Sequence, residues 1–131
     1  MMETAGLMFV IGRILFGGYF VLSGINHFKH LKSFTSYAQG KGVMMPREAT
    51  MLTGLVIILG GAGILLGVAV QLSVLLIAVF LLGVSYQMHA FWKLQGMERM
   101  NEEIQFKKNL ALLGADLMFL AIPLPWVLAL F

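Results

Sequence analysis

The 131-residue chain is 60% hydrophobic and only 11% charged, less than half the roughly 25% charge of a typical soluble domain. That leaves too little polar surface to wrap a soluble core, so lipid must solvate much of the chain. With no cysteine, disulfides, thiolate metal sites and thiol redox chemistry inside the chain are excluded, and the net charge of +3 resides in loops beside apolar segments, not in a nucleic-acid-binding surface.

A membrane crossing takes about 20 mostly apolar residues. Four segments qualify in chain order, residues 5–26, 49–70, 72–92 and 106–128. The expected fold is therefore all-α, a single domain over residues 1–131: an integral membrane up-and-down four-helix bundle. The first segment lacks a basic leader and a small-residue cleavage site, and reads as a retained span and not as a signal peptide.

Between the first and second spans, Leu31, Phe34 and Ala38 recur at helical spacing beside Lys32 and Gln39, which predicts a short helix lying in the membrane interface. Gly40, Gly42 and Pro46 then break the chain. A tight turn near Val70 and Gln71 makes the second and third spans an antiparallel hairpin, and residues 97–107 predict another short amphipathic helix before the fourth. Eight of the nine Lys and Arg residues fall in the first and third loops, which even connectivity puts on one side. The positive-inside rule makes that side the cytoplasm, with both termini outside, as expected for a bacterial inner-membrane protein.

Small residues allow helices to approach closely in lipid, where burial of apolar area no longer drives association. Gly17 and Gly24 in the first span, and Gly60, Gly61, Gly63 and Gly67 in the second, are the expected packing positions. Contacts inside the bundle are the leading reading of this face, and dimerisation or docking of a partner subunit is the alternative.

Polar groups at membrane depth are costly, so each marks a candidate site. Arg13, Gly17, Phe20, Gly24 and His27 step by four and three along one helix face; Ser85, His89 and Trp92, and then Asn109, Leu113 and Asp116, form similar stripes. In an up-and-down bundle the first and fourth helices are neighbours, and the leading expectation is a buried ion pair between Arg13 and Asp116. A proton or ligand role, or snorkelling of Arg13 to the outer surface, stays open. At the cytoplasmic mouth, topology gathers Asn26, His27, His89, Trp92, Lys108 and Asn109 at one depth. Singly each reads as an interfacial anchor. Together they form a candidate ligand pocket for a polar head carrying carbonyl or anionic oxygen, such as a quinone or a lipid. Bis-histidine haem ligation through His27 and His89 is disfavoured, because both lie at the membrane edge. No metal site and no nucleophile–base pair, phosphate loop or paired catalytic carboxylates stand out, so catalysis by this chain alone is not expected.

Gly12-Arg13, Phe20, Ser23-Gly24-Ile25-Asn26-His27-Phe28, Lys41-Gly42 with Pro46, Gly60-Gly61 with Gly67, His89-Ala90-Phe91-Trp92 and the run from Phe106 through Lys108-Asn109-Leu110-Ala111-Leu112 to Gly114 occur in order along nearly the whole chain. In these elements the sequence resembles the DoxX family of small bacterial and archaeal membrane proteins. The resemblance implies a four-helix membrane bundle and redox work at the quinone pool, as a subunit or accessory factor beside a redox partner; the alternative is a structural or assembly membrane protein without a ligand, docking a partner or a second copy through its glycine-rich face. The family's polar positions fall here on Arg13, Asn26, His27, His89, Lys108 and Asn109. Two positions depart from it: Ile57 stands where many members carry a Glu, and Gln71 where many carry an Arg.

Overall fold

The computed structural model describes residues 3–129. The described residues are all-α, with five α-helices: α1 (Thr4–Lys29), α2 (Leu31–Gly40), α3 (Pro46–Leu66), α4 (Val70–Met88) and α5 (Gly96–Met118). Single 3₁₀ turns follow α4 at Phe91–Lys93 and α5 at Phe119–Ala121. Three helical segments are long and apolar enough to cross a membrane, Thr4–Lys29, Pro46–Leu66 and Val70–Lys93.

Helix boundaries follow local chemistry. Pro46 opens α3 at its first position, where its missing N–H costs nothing. Gly67 closes the helix in the left-handed region at φ 71°, and Val68 N–H bonds back to Gly63 O at 2.9 Å, the six-residue closure that satisfies an orphan carbonyl at a helix end. The hairpin turn therefore occupies residues 67–69, three residues before the expected one at Val70 and Gln71.

The fourth expected span departs furthest from its helix. Instead of a separate amphipathic helix followed by a span over 106–128, one continuous helix starts at Gly96 and ends at Met118. The part before Asn109 carries Glu98, Arg99, Glu102, Glu103, Lys107 and Lys108, and the more apolar helical remainder, 109–118, is about 15 Å long at 1.5 Å per residue, short of the roughly 30 Å core. Pro123 and Pro125 explain the early stop: neither has an N–H to continue the ladder, and each disfavours helical backbone in the residue before it.

Packing runs α1 on α3, α3 on α4 and α4 on α5, with α2 against α3. The α1–α3 contact is a glycine seam. A Cβ on Gly17 would stand 2.6 Å from Gly61 O, and one on Gly61 would stand 2.7 Å from Gly17 O, so the two backbones touch directly. Gly24 meets Gly54 in the same way, while Gly60 and Gly63 admit Ile77 and Ser73 of α4. The small-residue face is thus occupied by this chain's own helices and is not presented to a partner. Behind it Phe20, Ile57, Ile64, Val74, Ile77 and Leu81 form the core. Leu15, Leu22, Leu52, Leu72 and Val79 are more than half exposed on the outside, the apolar coat expected where lipid is the solvent.

Candidate functional site at the bundle mouth

Two polar layers lie at opposite ends of the helices. The first surrounds Arg13, which is 2% exposed. Its Nε donates to Ile64 O at 3.2 Å, and its Nη2 donates to Leu65 O at 3.0 Å and Leu128 O at 3.4 Å. Its Nη1 donates to Val127 O. The guanidinium lies 5.3 Å from the Trp126 ring centroid and 5.6 Å from that of Phe9. All of these acceptors are backbone carbonyls, two at the C-terminal end of α3 and two in the tail beyond α5. A cation is favoured at the negative end of the α3 dipole, and aromatic faces add cation–π attraction.

The expected ion pair between Arg13 and Asp116 does not form. Asp116 is fully buried, yet neither carboxyl oxygen has a hydrogen-bond partner. The physical reason is helix order: the main neighbour of α1 is α3, so the Arg13 fork faces the α3 end and not α5. The tail explains the rest. It leaves the helical ladder at Met118, and its orphaned carbonyls at Val127 and Leu128 lie within reach of the fork.

The second layer is the mouth. Near Arg13 the rings of α1 meet those beyond α5 edge to face: Phe16 lies 5.1 Å from Phe119, and Phe9 lies 4.9 Å from Trp126. A cavity of about 100 Å³ lies between α1, α4 and α5. Ser23, His89, Lys108 and Asn109 supply its polar lining, and Phe20, Phe80, Leu81, Val84 and Leu112 supply its apolar walls. Tyr19, 48% exposed, stands at its edge. Lys108 Nζ donates to Gln105 Oε1 at 2.8 Å, a contact within its own helix that a ligand could replace.

Three of the six expected mouth residues, His89, Lys108 and Asn109, therefore share one cavity. The other three lie elsewhere. His27 Nδ1 is 2.8 Å from Ser23 O, and its ring packs edge-on against Phe34 and Phe80. Asn26 is exposed, with its carbonyl accepting from His30 N–H. Trp92 is 45% exposed and stacks among Tyr86, Phe91 and Phe106. His27 is not among the residues that line the cavity with His89. No group of three metal-ligating side chains occurs among the described residues.

Glu102, at the polar end of α5, is the functional candidate that sequence reasoning missed. Its Oε2 pairs with His89 Nδ1, its Oε1 accepts from the Tyr37 hydroxyl at 2.8 Å, and Lys41 Nζ lies 3.6 Å from Oε1. Burial pushes the carboxyl up, but hydrogen bonds from His89 and Tyr37 and the nearby positive charges outweigh it, leaving Glu102 below its ordinary 4.5. The Tyr37 phenol is pushed up to about 12, first by burial and then by its bond to that carboxylate. A signal for Glu102 exists in the sequence. The stripe Asp116, Leu113, Asn109 continues backward at helical spacing through Phe106 to Glu102.

A comparison with family models matches residues 8–90 to DoxX. No curated protein and no solved structure matches the chain. The matched segment contains Arg13, the glycine seam and the hairpin, and ends one residue past His89, so the chain belongs to the DoxX family.

Proposed function

We propose that this protein is a small inner-membrane accessory subunit of quinone-linked redox chemistry, which holds the polar head of a quinone or a quinone-like lipid at its mouth. The observation that carries the reading is the cavity between α1, α4 and α5, whose lining combines Ser23, His89, Lys108 and Asn109 with aromatic and aliphatic residues. Hydroxyl, ammonium and amide donors suit carbonyl oxygens, and apolar walls suit a ring. Room for about one ring, and no more, means that an isoprenoid tail lies outside, along the lipid-facing helices. Nothing in this donor set performs electron transfer by itself, which fits a subunit beside a redox partner.

The same reading includes topology. Val127 and Leu128 reach the level of Ile64 and Leu65 through Arg13, so the tail completes the crossing that the α5 helix leaves short. Irregular backbone at that depth is tolerable only when protein groups satisfy it, and Arg13 does so. Both termini then lie on the outer face, and the basic loops lie in the cytoplasm.

Binding of a short-chain benzoquinone to the nanodisc-embedded protein tests the function. Asn109→Leu, which fills the cavity and removes an amide, is expected to weaken binding about tenfold, equivalent to about 1.4 kcal/mol. Equal binding by the variant, or no binding by the wild type, would remove the quinone reading. Because the chain has no native cysteine, single cysteines placed near each terminus test the topology. Both should react with an impermeant thiol reagent from the same side.

A further inference from the structure

His89 joins two groups of residues. The residue lines the mouth cavity, while its Nδ1 is held by Glu102. The carboxylate is itself fixed from α2, by the Tyr37 hydroxyl at 2.8 Å and by Lys41 at 3.6 Å. The side chains of His89 and Glu102 are only 13% and 12% exposed, so the contact is largely sheltered from water. An ionised carboxylate can only accept, and so the ring nitrogen facing it must carry hydrogen. In a neutral imidazole the other nitrogen is then bare.

We propose that Glu102 is a positioning residue that holds His89 in its Nδ1–H form, making Nε2 the proton acceptor for an acidic hydroxyl on the head group in the mouth cavity. The proposal rests on the reading of the cavity as a head-group site and adds the chemical form of the ligand: a ring bearing an O–H, such as a hydroquinone. In the step, the ligand O–H bond breaks, the oxygen keeps the electron pair and the proton joins Nε2. The imidazolium that forms is stabilised by Glu102, and the oxyanion by Lys108 and Asn109 across the cavity. Lys41 and Tyr37 hold Glu102 charged and aimed at His89 and do not touch the ligand.

The test is ¹⁵N NMR of histidine-labelled protein in nanodiscs, with His89 distinguished from His27 and His30 by a His89→Gln control. In the wild type the Nδ1 resonance should be that of a protonated nitrogen and the Nε2 resonance that of a bare one. Glu102→Gln keeps the shape and removes the charge, and is expected to lower the ratio of Nδ1–H to Nε2–H about tenfold, the difference between a charged and a neutral hydrogen bond. Two probes are then compared, a short-chain benzohydroquinone and its dimethyl ether, which presents the same ring without an O–H. Both should perturb Asn109, and only the hydroquinone should shift Nε2 towards its protonated position. An Nε2–H tautomer in the wild type overturns the proposal even if Glu102→Gln does not fold, as does a tautomer ratio unmoved by that substitution. Perturbation of Asn109 by both probes with no response at Nε2 overturns the proton-acceptor role and leaves the head-group site standing. No perturbation by either probe removes both.

Discussion

Arg13 and His89 are both polar side chains at membrane depth in a chain with few of them, yet their surroundings differ in kind. Around Arg13 each guanidinium nitrogen already donates to a backbone carbonyl, and the Phe9 and Trp126 rings lie against the group. Around His89, Glu102 holds one ring nitrogen, and the residue also lines the mouth cavity. A costly polar residue in lipid marks a point that the fold must satisfy. It marks a site only where donors remain beside an unfilled volume. Asp116 is a third case, buried with neither carboxyl oxygen hydrogen-bonded and outside the lining of the mouth cavity.

The comparison breaks first at Arg13. Arg13→Ala orphans carbonyls of both α3 and the tail, and is expected to cost about 3 kcal/mol, the upper range for bonds made by a charged donor. Arg13→Lys should recover little of it, because a single ammonium cannot span acceptors on two elements. Chemical unfolding in mixed micelles measures both. A fully stable Arg13→Ala variant would show that the tail holds itself.

Next in size is the glycine seam that brings Arg13 to the end of α3. Gly61→Val puts a branched side chain where a single Cβ already lies 2.7 Å from Gly17 O, and should cost about 2 kcal/mol through helix displacement. The same substitution at Gly83, where a Cβ meets nothing within 4 Å, is the control and should be nearly neutral.

A smaller effect of opposite sign is expected at Asp116. Asp116→Leu replaces an unpartnered carboxyl by an apolar group of similar size and should stabilise the protein by about 1 kcal/mol. In a double-mutant cycle with Arg13→Ala the coupling should stay below about 0.5 kcal/mol, since the two side chains share no contact. Coupling well above that figure would restore the ion pair.

The mildest test lies at the mouth. Tyr37→Phe removes one of the two bonds from the α2 side to Glu102 and should loosen α2 by about 0.5–1 kcal/mol, read as faster amide exchange in residues 31–40. Because the folded Glu102 lies below its ordinary 4.5, its contribution is fully present above that value. It is lost as pH falls through the lower, folded value. Exchange in α2 should therefore accelerate on acidification below the ordinary carboxylate range, and Glu102→Gln should abolish that response.

Composition and apolar runs determined the solvent, the helical class and three of the crossing segments, because lipid demands long uncharged helices whatever their packing. The glycine spacing likewise identified its own contacts, since only a helix face without side chains can meet another backbone. Pro123 and Pro125 already announced that the last helix would stop early, although an apolar run of the right length concealed it. Which polar groups meet was decided by the tertiary structure alone. Arg13 turned to carbonyls because α1 packs on α3, and His27 and His89 parted because their helix faces diverge. Glu102 reached His89 because α5 continues, unbroken, beyond the apolar part of the chain. Periodicity assigns a side chain to a face of its own helix; the partner across the gap depends on helix order and on where each helix ends.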